Sequence, residues 1–114
     1  MAEVYDCIIV GAGPAGLGAG LYTARDRMKT LLLEKFFPGG QINNTDRIEN
    51  YPGYKQIGGA ELVMKMQDQV TSFDGEIKTS GEVTKLQQLP DKTIAVHCDA
   101  DKYIARSVIL APGR

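Results

Sequence analysis

The chain has 114 residues, a length that suits one domain of ordinary size. Its formal net charge is −1, so neither a nucleic-acid backbone nor an anionic membrane is expected as a partner. No apolar run approaches the roughly 20 residues that span a bilayer. Residues 1–6 are polar and acidic and lack the basic start of a secretory leader, so a cytoplasmic location is expected. Cys7 and Cys98 lie far apart in strand-like runs with no C-x-x-C spacing. They are expected to be buried, reduced thiols, with a structural disulfide as the remote alternative.

Residues 6–10, Asp-Cys-Ile-Ile-Val, form a short and almost wholly apolar run. A strand covered on both faces reads this way. It ends in Gly-Ala-Gly-Pro-Ala-Gly at 11–16. Leu17, Leu21, Ala24 and Met28 then recur at helical spacing, which predicts a helix over about 14–27. Pro14 suits its first turn, where a missing N–H costs nothing. Residues 30–34, Thr-Leu-Leu-Leu-Glu, make a second buried strand, so the unit is strand–helix–strand with parallel strands.

Residues 35–58 show no clear element and are crowded with Gly, Asn and Pro. A long irregular segment within a domain is usually functional or disordered, and Phe36, Phe37, Tyr51 and Tyr54 argue against disorder. Leu62, Val63, Met66, Val70 and Phe73 form one apolar stripe, which predicts a second helix over 59–73 closed by Gly75. The remainder reads as short strands. Residues 76–79 and 83–89 form one extended region interrupted near Gly81, followed by a strand around 94–98 and another over 103–110. This suggests a small antiparallel meander whose last strand returns to the main sheet at Val108-Ile109-Leu110. His97 reads as a plain surface residue.

Gly11, Gly13 and Gly16 make G-x-G-x-x-G in the right setting, after a strand and before a helix. Gly11 permits the tight turn, Gly13 lets a pyrophosphate approach the backbone, and Gly16 lets helix and strand lie close. The helix start offers unpaired N–H groups and a positive dipole end to phosphate. Glu34 ends the second strand about 20 residues on, where an acid is expected to accept hydrogen bonds from the adenosine ribose. It would repel a 2′-phosphate, which favours FAD or NAD over NADP. Glycines and acid together do not separate FAD from NAD.

The next segment does. Gly39-Gly40-Gln41, Thr45 and Ile48-Glu-Asn-Tyr-Pro-Gly53 resemble the G-G-Q…E-N-x-P-G signature of thioredoxin reductases and their close flavoprotein relatives. Gly-Pro-Ala-Gly in the first loop, Gly59 with Glu61-Leu62, and Val108-Ile-Leu-Ala-Pro-Gly113 are similar to that family too. The resemblance implies an α/β fold: an FAD/NAD(P)-binding Rossmann-type parallel sheet with an antiparallel meander, here incomplete. Residues 1–114 would be the N-terminal segment of the FAD-binding domain, with the NADPH and dithiol domain absent.

The resemblance also implies roles. Gly11, Gly13, Pro14, Ala15 and Gly16 would hold the FAD diphosphate. Glu34 would bind the adenosine ribose with Lys35 beside it. Gly39, Gly40, Gln41 and Thr45 would line the ribityl and flavin side, Asn50 would reach the isoalloxazine edge, and Val83 would meet adenine through its backbone. Gly113 keeps its place near the cofactor, whereas Pro112 stands where the family has Thr and removes a hydroxyl and an N–H. The implied reaction carries electrons from NADPH through FAD to a disulfide and then to thioredoxin. The isolated chain is expected to be inactive, to bind FAD weakly or not at all, and to form a homo-oligomer. Two other readings stand beside this one. One is a ferredoxin- or flavodoxin-NADP reductase, or an alkyl hydroperoxide reductase flavoprotein, of the same fold. The other is a non-enzymatic nucleotide-binding module.

Overall fold

The computed structural model describes residues 3–79, 81–99 and 101–113. In chain order the strands and helices are β1 (Val4–Tyr5), β2 (Cys7–Val10), α1 (Pro14–Arg25), β3 (Thr30–Leu33), α2 (Gly59–Ser72), β4 (Glu76–Lys78), β5 (Val83–Gln88), β6 (Ile94–Cys98), β7 (Asp101–Ala105) and β8 (Val108–Leu110). They form two four-stranded sheets, one ordered β4-β3-β2-β8 and the other β1-β7-β6-β5. The first is wholly parallel, with Ile8 opposite Leu31 and Val108, and Leu31 opposite Glu76. The expected α/β fold with a parallel sheet and a meander is the observed one.

The apolar runs of β2 and β3 are explained by what covers them. Cys7, Ile9 and Leu32 turn to one face and pack with Leu17 of α1 and Val63 and Val70 of α2. Ile8, Leu31 and Leu33 turn to the other and pack with Tyr5, Val96 and Ala105 of the second sheet. The result is three layers, helices on sheet on meander, with β2 and β3 in the middle one. Burying each large aliphatic side chain of this kind contributes about 1.5–3 kcal/mol. Thr30 is the buried polar exception, and its hydroxyl is satisfied by the Met28 carbonyl at 3.0 Å and the Thr23 hydroxyl at 2.8 Å. Cys7 and Cys98 are both buried and form no disulfide, as expected.

Four local readings are corrected. α1 stops at Arg25 rather than Arg27, because Arg27 swings to φ 67° and the Met28 amide donates back to the Thr23 carbonyl at 3.0 Å. Residues 76–79 and 83–89 are not one extended region: Glu76–Lys78 joins the parallel sheet beside β3, and Val83–Gln88 begins the meander. The predicted strand over 103–110 is broken at Arg106 and Ser107, so that β7 pairs with β6 and β1 while β8 pairs with β2. The stretch 35–58 contains a 3-10 turn at Gly40–Asn44 and a bridge between Ile48 and Ile57.

Gly75 does close α2 but through space rather than torsion. Asp74 takes the left-handed conformation at φ 67°, and the Gly75 amide donates to the Val70 carbonyl at 3.1 Å. A Cβ on Gly75 would press on the Val70 side chain.

Candidate nucleotide-binding cleft

The parallel pairing of β2 with β3 and β8 brings three chain segments to one end of the sheet: the turn after β2, the acid after β3, and Ala111–Gly113 after β8. Gly11 has φ 106°, and its amide donates to the Leu33 carbonyl at 2.8 Å. A Cβ there would overlap the Ala111 carbonyl oxygen. Gly16 is required for a different reason, since a Cβ on it would overlap the Gly11 carbonyl and force α1 off the strand. Gly13 differs from both. It is the residue before α1, in extended conformation, and a Cβ on it would come no nearer to protein than the Gly39 carbonyl at 4.0 Å. Space beside Gly13 is therefore open. No side chain caps the start of α1 and no acid lies in its first turn, so its positive end is left to an anion.

Glu34 lies directly against the turn. Its Oε1 accepts a hydrogen bond from the Ala12 amide at 2.9 Å, and its Oε2 accepts one from the Phe36 amide at 3.1 Å. Each carboxylate oxygen retains a second acceptor site. The Ala12 carbonyl in turn accepts the Gly39 amide at 2.7 Å. The two peptides flanking Ala12 thus tie the glycine turn to the chain on either side of Pro38. Asn43 braces that loop by donating from Nδ2 to the Pro38 carbonyl at 2.6 Å.

Above this junction opens a cleft of about 520 Å³. Volumes of roughly 300–1,000 Å³ are usual for small-molecule sites. Of the residues expected from the sequence, Gly13, Pro14, Glu34, Lys35, Gly39, Gly40, Gln41 and Gly113 line it. Val83 lies instead on an adjoining cavity of about 90 Å³, together with Gly11, Glu34, Lys35 and Pro112. Gly16 is buried beneath the turn and supports it. Ala15, Thr45 and Asn50 are exposed and line neither space. The Thr45 carbonyl accepts the Gly59 amide at 2.9 Å, which anchors the start of α2.

Sequence reasoning assigned no role to Phe36, Phe37, Ile42, Asn44 and Ala111, which also line the cleft. Two adjacent phenylalanines in a turn-rich loop were the available signal. Among the described residues no cluster of His, Cys, Asp and Glu is arranged to hold a metal ion. No helix among them is long and apolar enough to cross a membrane. His97 lies on β6 with Nε2 3.4 Å from Oε1 of Gln87, away from both spaces.

An open cleft over a glycine turn, with a carboxylate fixed at its rim and an uncapped helix behind, is the arrangement of a Rossmann-type fold. The chain belongs to the pyridine nucleotide-disulphide oxidoreductase family, whose model matches residues 5–114. The relatives it is similar to carry a narrower name. The thioredoxin reductase of Bacillus subtilis (strain 168) is 40% identical over 111 residues, which are 97% of this chain and 34% of that protein. Among solved structures, the thioredoxin reductase of Lactococcus lactis in its FR conformation is 47% identical with a TM-score of 0.88, over 96% of this chain and 35% of that one. A ferredoxin-flavin thioredoxin reductase from Clostridium acetobutylicum is 29% identical with a TM-score of 0.85, over 97% and 38%. The chain spans about a third of the length of the curated relatives it matches. The resemblance read from the glycine and Asn-Tyr-Pro-Gly motifs is borne out by the family matched and by the thioredoxin reductases among its relatives.

Proposed function

We propose that this chain is the N-terminal segment of the FAD-binding domain of an NADPH-dependent thioredoxin-disulfide reductase. The observation that carries the reading is Glu34: a carboxylate held 2.9 Å from the glycine-turn amide, with two acceptor sites left over, at the rim of an open cleft. The residues fit FAD. The uncapped start of α1 receives the diphosphate, Glu34 accepts the ribose hydroxyls, and the 90 Å³ cavity at Val83 receives the edge of adenine. Gly39, Gly40 and Gln41 continue the cleft toward the flavin, and Thr45 and Asn50 act at its outer edge once a cofactor is in place. Bound there, FAD would supply the two-electron redox chemistry that the protein side chains lack.

This chain's own contribution is binding and orientation. Pro112 offers no N–H to the cofactor, so the donors at this end come from the α1 turn and from Gly113. Glu34 places a negative charge where a 2′-phosphate would sit, which selects an adenosine with a free 2′-hydroxyl. The disulfide, the NADPH loop and the contact with thioredoxin belong to the portion of the relatives outside the shared third. A cytoplasmic, homo-oligomeric parent enzyme goes with this reading.

The experiment is titration of the ¹⁵N-labelled chain with FAD, followed by NMR. Shifts centred on residues 11–16, 34–41 and 83, at weak affinity, are expected. Shifts confined to other surfaces, or tight stoichiometric binding by the isolated chain, would refute the proposal. Mixed with NADPH and thioredoxin, the isolated chain is expected to show no turnover. A second reading is favoured by the clostridial structure, whose name joins ferredoxin to flavin: the electron donor of the parent would then be ferredoxin. NADPH oxidation by the parent enzyme decides between the two.

A further inference from the structure

We propose that Tyr5 is a one-electron oxidation site, with Glu76 as the base that receives its proton and Tyr103 as the outer ring through which a radical in solution reaches it. None of these residues lines the cleft or the adjoining cavity. Tyr5 is 3% exposed, whereas Tyr103 on β7 is only partly buried. The two rings meet edge to face with centroids 6.4 Å apart. Aromatic rings at this separation are in contact, so an electron passes between them without an intermediate group. The Tyr5 hydroxyl donates to both oxygens of Glu76, at 3.4 Å to Oε1 and 3.3 Å to Oε2. The Tyr103 hydroxyl has no hydrogen-bond partner among the described residues.

The carboxylate decides which ring keeps the electron hole. Losing an electron makes a phenol strongly acidic, so the oxidised ring persists only where its proton has an acceptor. A nearby ammonium disfavours positive charge on a ring. Here that penalty falls on both rings alike: Lys29 Nζ lies 5.2 Å from the Tyr5 centroid, and Lys78 Nζ lies 5.2 Å from that of Tyr103. Both ammoniums are also paired, Lys29 with Glu3 and Lys78 with Glu76 at 3.9 Å. What separates the two rings is the Glu76 carboxylate at the Tyr5 hydroxyl. In the step itself, Tyr5 gives one electron to the oxidising radical by way of Tyr103, its O–H bond breaks, and the proton moves to Glu76. The products are a neutral tyrosyl radical, a neutral carboxylic acid and the reduced oxidant. The hydroxyl–carboxylate pair loses its negative charge, a change that burial on the Tyr5 side favours. Burial and the carboxylates of Glu76 and Glu3 also hold the phenol protonated until the electron leaves.

The test uses the whole chain carrying Tyr22→Phe, Tyr51→Phe and Tyr54→Phe, which removes the exposed tyrosines and leaves Tyr5 and Tyr103 to report. Azide radicals made by pulse radiolysis are the oxidant and end as azide, and the tyrosyl absorption is followed in time. Folding of each variant is checked by far-UV circular dichroism. In this background a long-lived radical is expected, formed more slowly in D₂O than in H₂O. Tyr5→Phe keeps the ring and is expected to lose the long-lived component. Glu76→Gln is expected to lose that component and the isotope effect with it. Tyr103→Phe is expected to lower the yield and leave the lifetime unchanged. An unchanged lifetime in Tyr5→Phe overturns Tyr5 as the site. An isotope effect that survives in Glu76→Gln overturns the proton acceptor, and a full yield in Tyr103→Phe overturns the route. Absence of a long-lived radical in the background chain overturns the proposal without any further variant.

Discussion

Ala12 is held through both of its flanking peptides: its N–H donates to Glu34 Oε1 at 2.9 Å, and its carbonyl accepts the Gly39 amide at 2.7 Å. Hydrogen bonds within the chain therefore fix the carboxylate and the Gly39 loop against the glycine turn. A ligand finds its acceptor and its loop already in place, so less ordering entropy is lost on binding.

Replacing Glu34 by Gln is expected to remove the charge and to turn one of its two acceptors into a donor. One of the Ala12 and Phe36 amides then faces an N–H₂ group. Hydrogen bonds to charged groups contribute about 1.5–3 kcal/mol, and a partly exposed one is expected at the low end of that range. Urea unfolding measures the loss. Affinity for ADP-ribose is expected to fall about tenfold or more, and the preference over its 2′-phosphorylated analogue is expected to narrow. An unchanged preference in calorimetric titration contradicts the ribose role.

The three glycines of the turn are expected to separate into two kinds. Gly11→Ala meets the Ala111 carbonyl and a backbone φ of 106°, and Gly16→Ala meets the Gly11 carbonyl. Strain and overpacking of this sort each cost about 1–3 kcal/mol, so both variants are expected to unfold at clearly lower urea. Gly13→Ala has open space and an allowed conformation, and is expected to cost about 1 kcal/mol or less. Its methyl group nonetheless stands in the cleft, so nucleotide binding is expected to be lost. A Gly13→Ala chain that binds normally would place the diphosphate elsewhere.

Tyr5 gives the alkaline pH dependence. Burial raises its phenol well above the ordinary value, and the nearby carboxylates of Glu76 and Glu3 raise it further. Lys29 Nζ lies 5.2 Å over its ring, and Tyr103 packs edge-on at 6.4 Å. A raised folded-state value means that the unfolded chain releases the proton first. The contribution of Tyr5 is therefore complete below about pH 10, the ordinary tyrosine value, and declines above it. Each pH unit in that window costs at most about 1.4 kcal/mol from one proton. Comparing Tyr5→Phe with the parent between pH 8 and 11 isolates this slope from the titrating lysines. Parallel curves would show that Tyr5 does not contribute.

The cysteines are expected to be chemically silent in the folded chain. Cys7 is 1% exposed and Cys98 is fully buried, and burial pushes the Cys7 thiol upward. A thiol-specific reagent is expected to label neither until denaturant is added, when both react. Rapid labelling of the native chain would contradict the three-layer packing around β2.

The local parts of the fold were readable because they are written in short-range pattern. Cys-Ile-Ile-Val and Thr-Leu-Leu-Leu carry no polar residue for solvent, and the glycine turn sits between the first of these strands and α1. The choice of strand partner is not written that way. Glu76-Ile-Lys78 alternates like any hairpin strand, and only its parallel register with Leu31–Leu33 distinguishes it. The pairing of β1 with β7 joins residues about a hundred positions apart and has no signal in either segment. In the site, Glu34 and Gly13 were legible from spacing, whereas the Gly39–Ala12 hydrogen bond and the orientation of Phe36 depend on how a turn-rich loop settles against its neighbours. Thr45 and Asn50 were carried by family likeness alone, and they lie outside the cleft lining.

Successive residues of β2 serve opposite cores, Ile8 the meander and Ile9 the helices. A deletion or insertion of one residue in that strand would send each side chain into the compartment built for the other, damaging both at once. The strand that delivers the glycine turn is thus locked in register by packing it does not share with the ligand. Adaptation of this scaffold to new nucleotides must fall on the loops at its end, where a side chain can change without disturbing either interior.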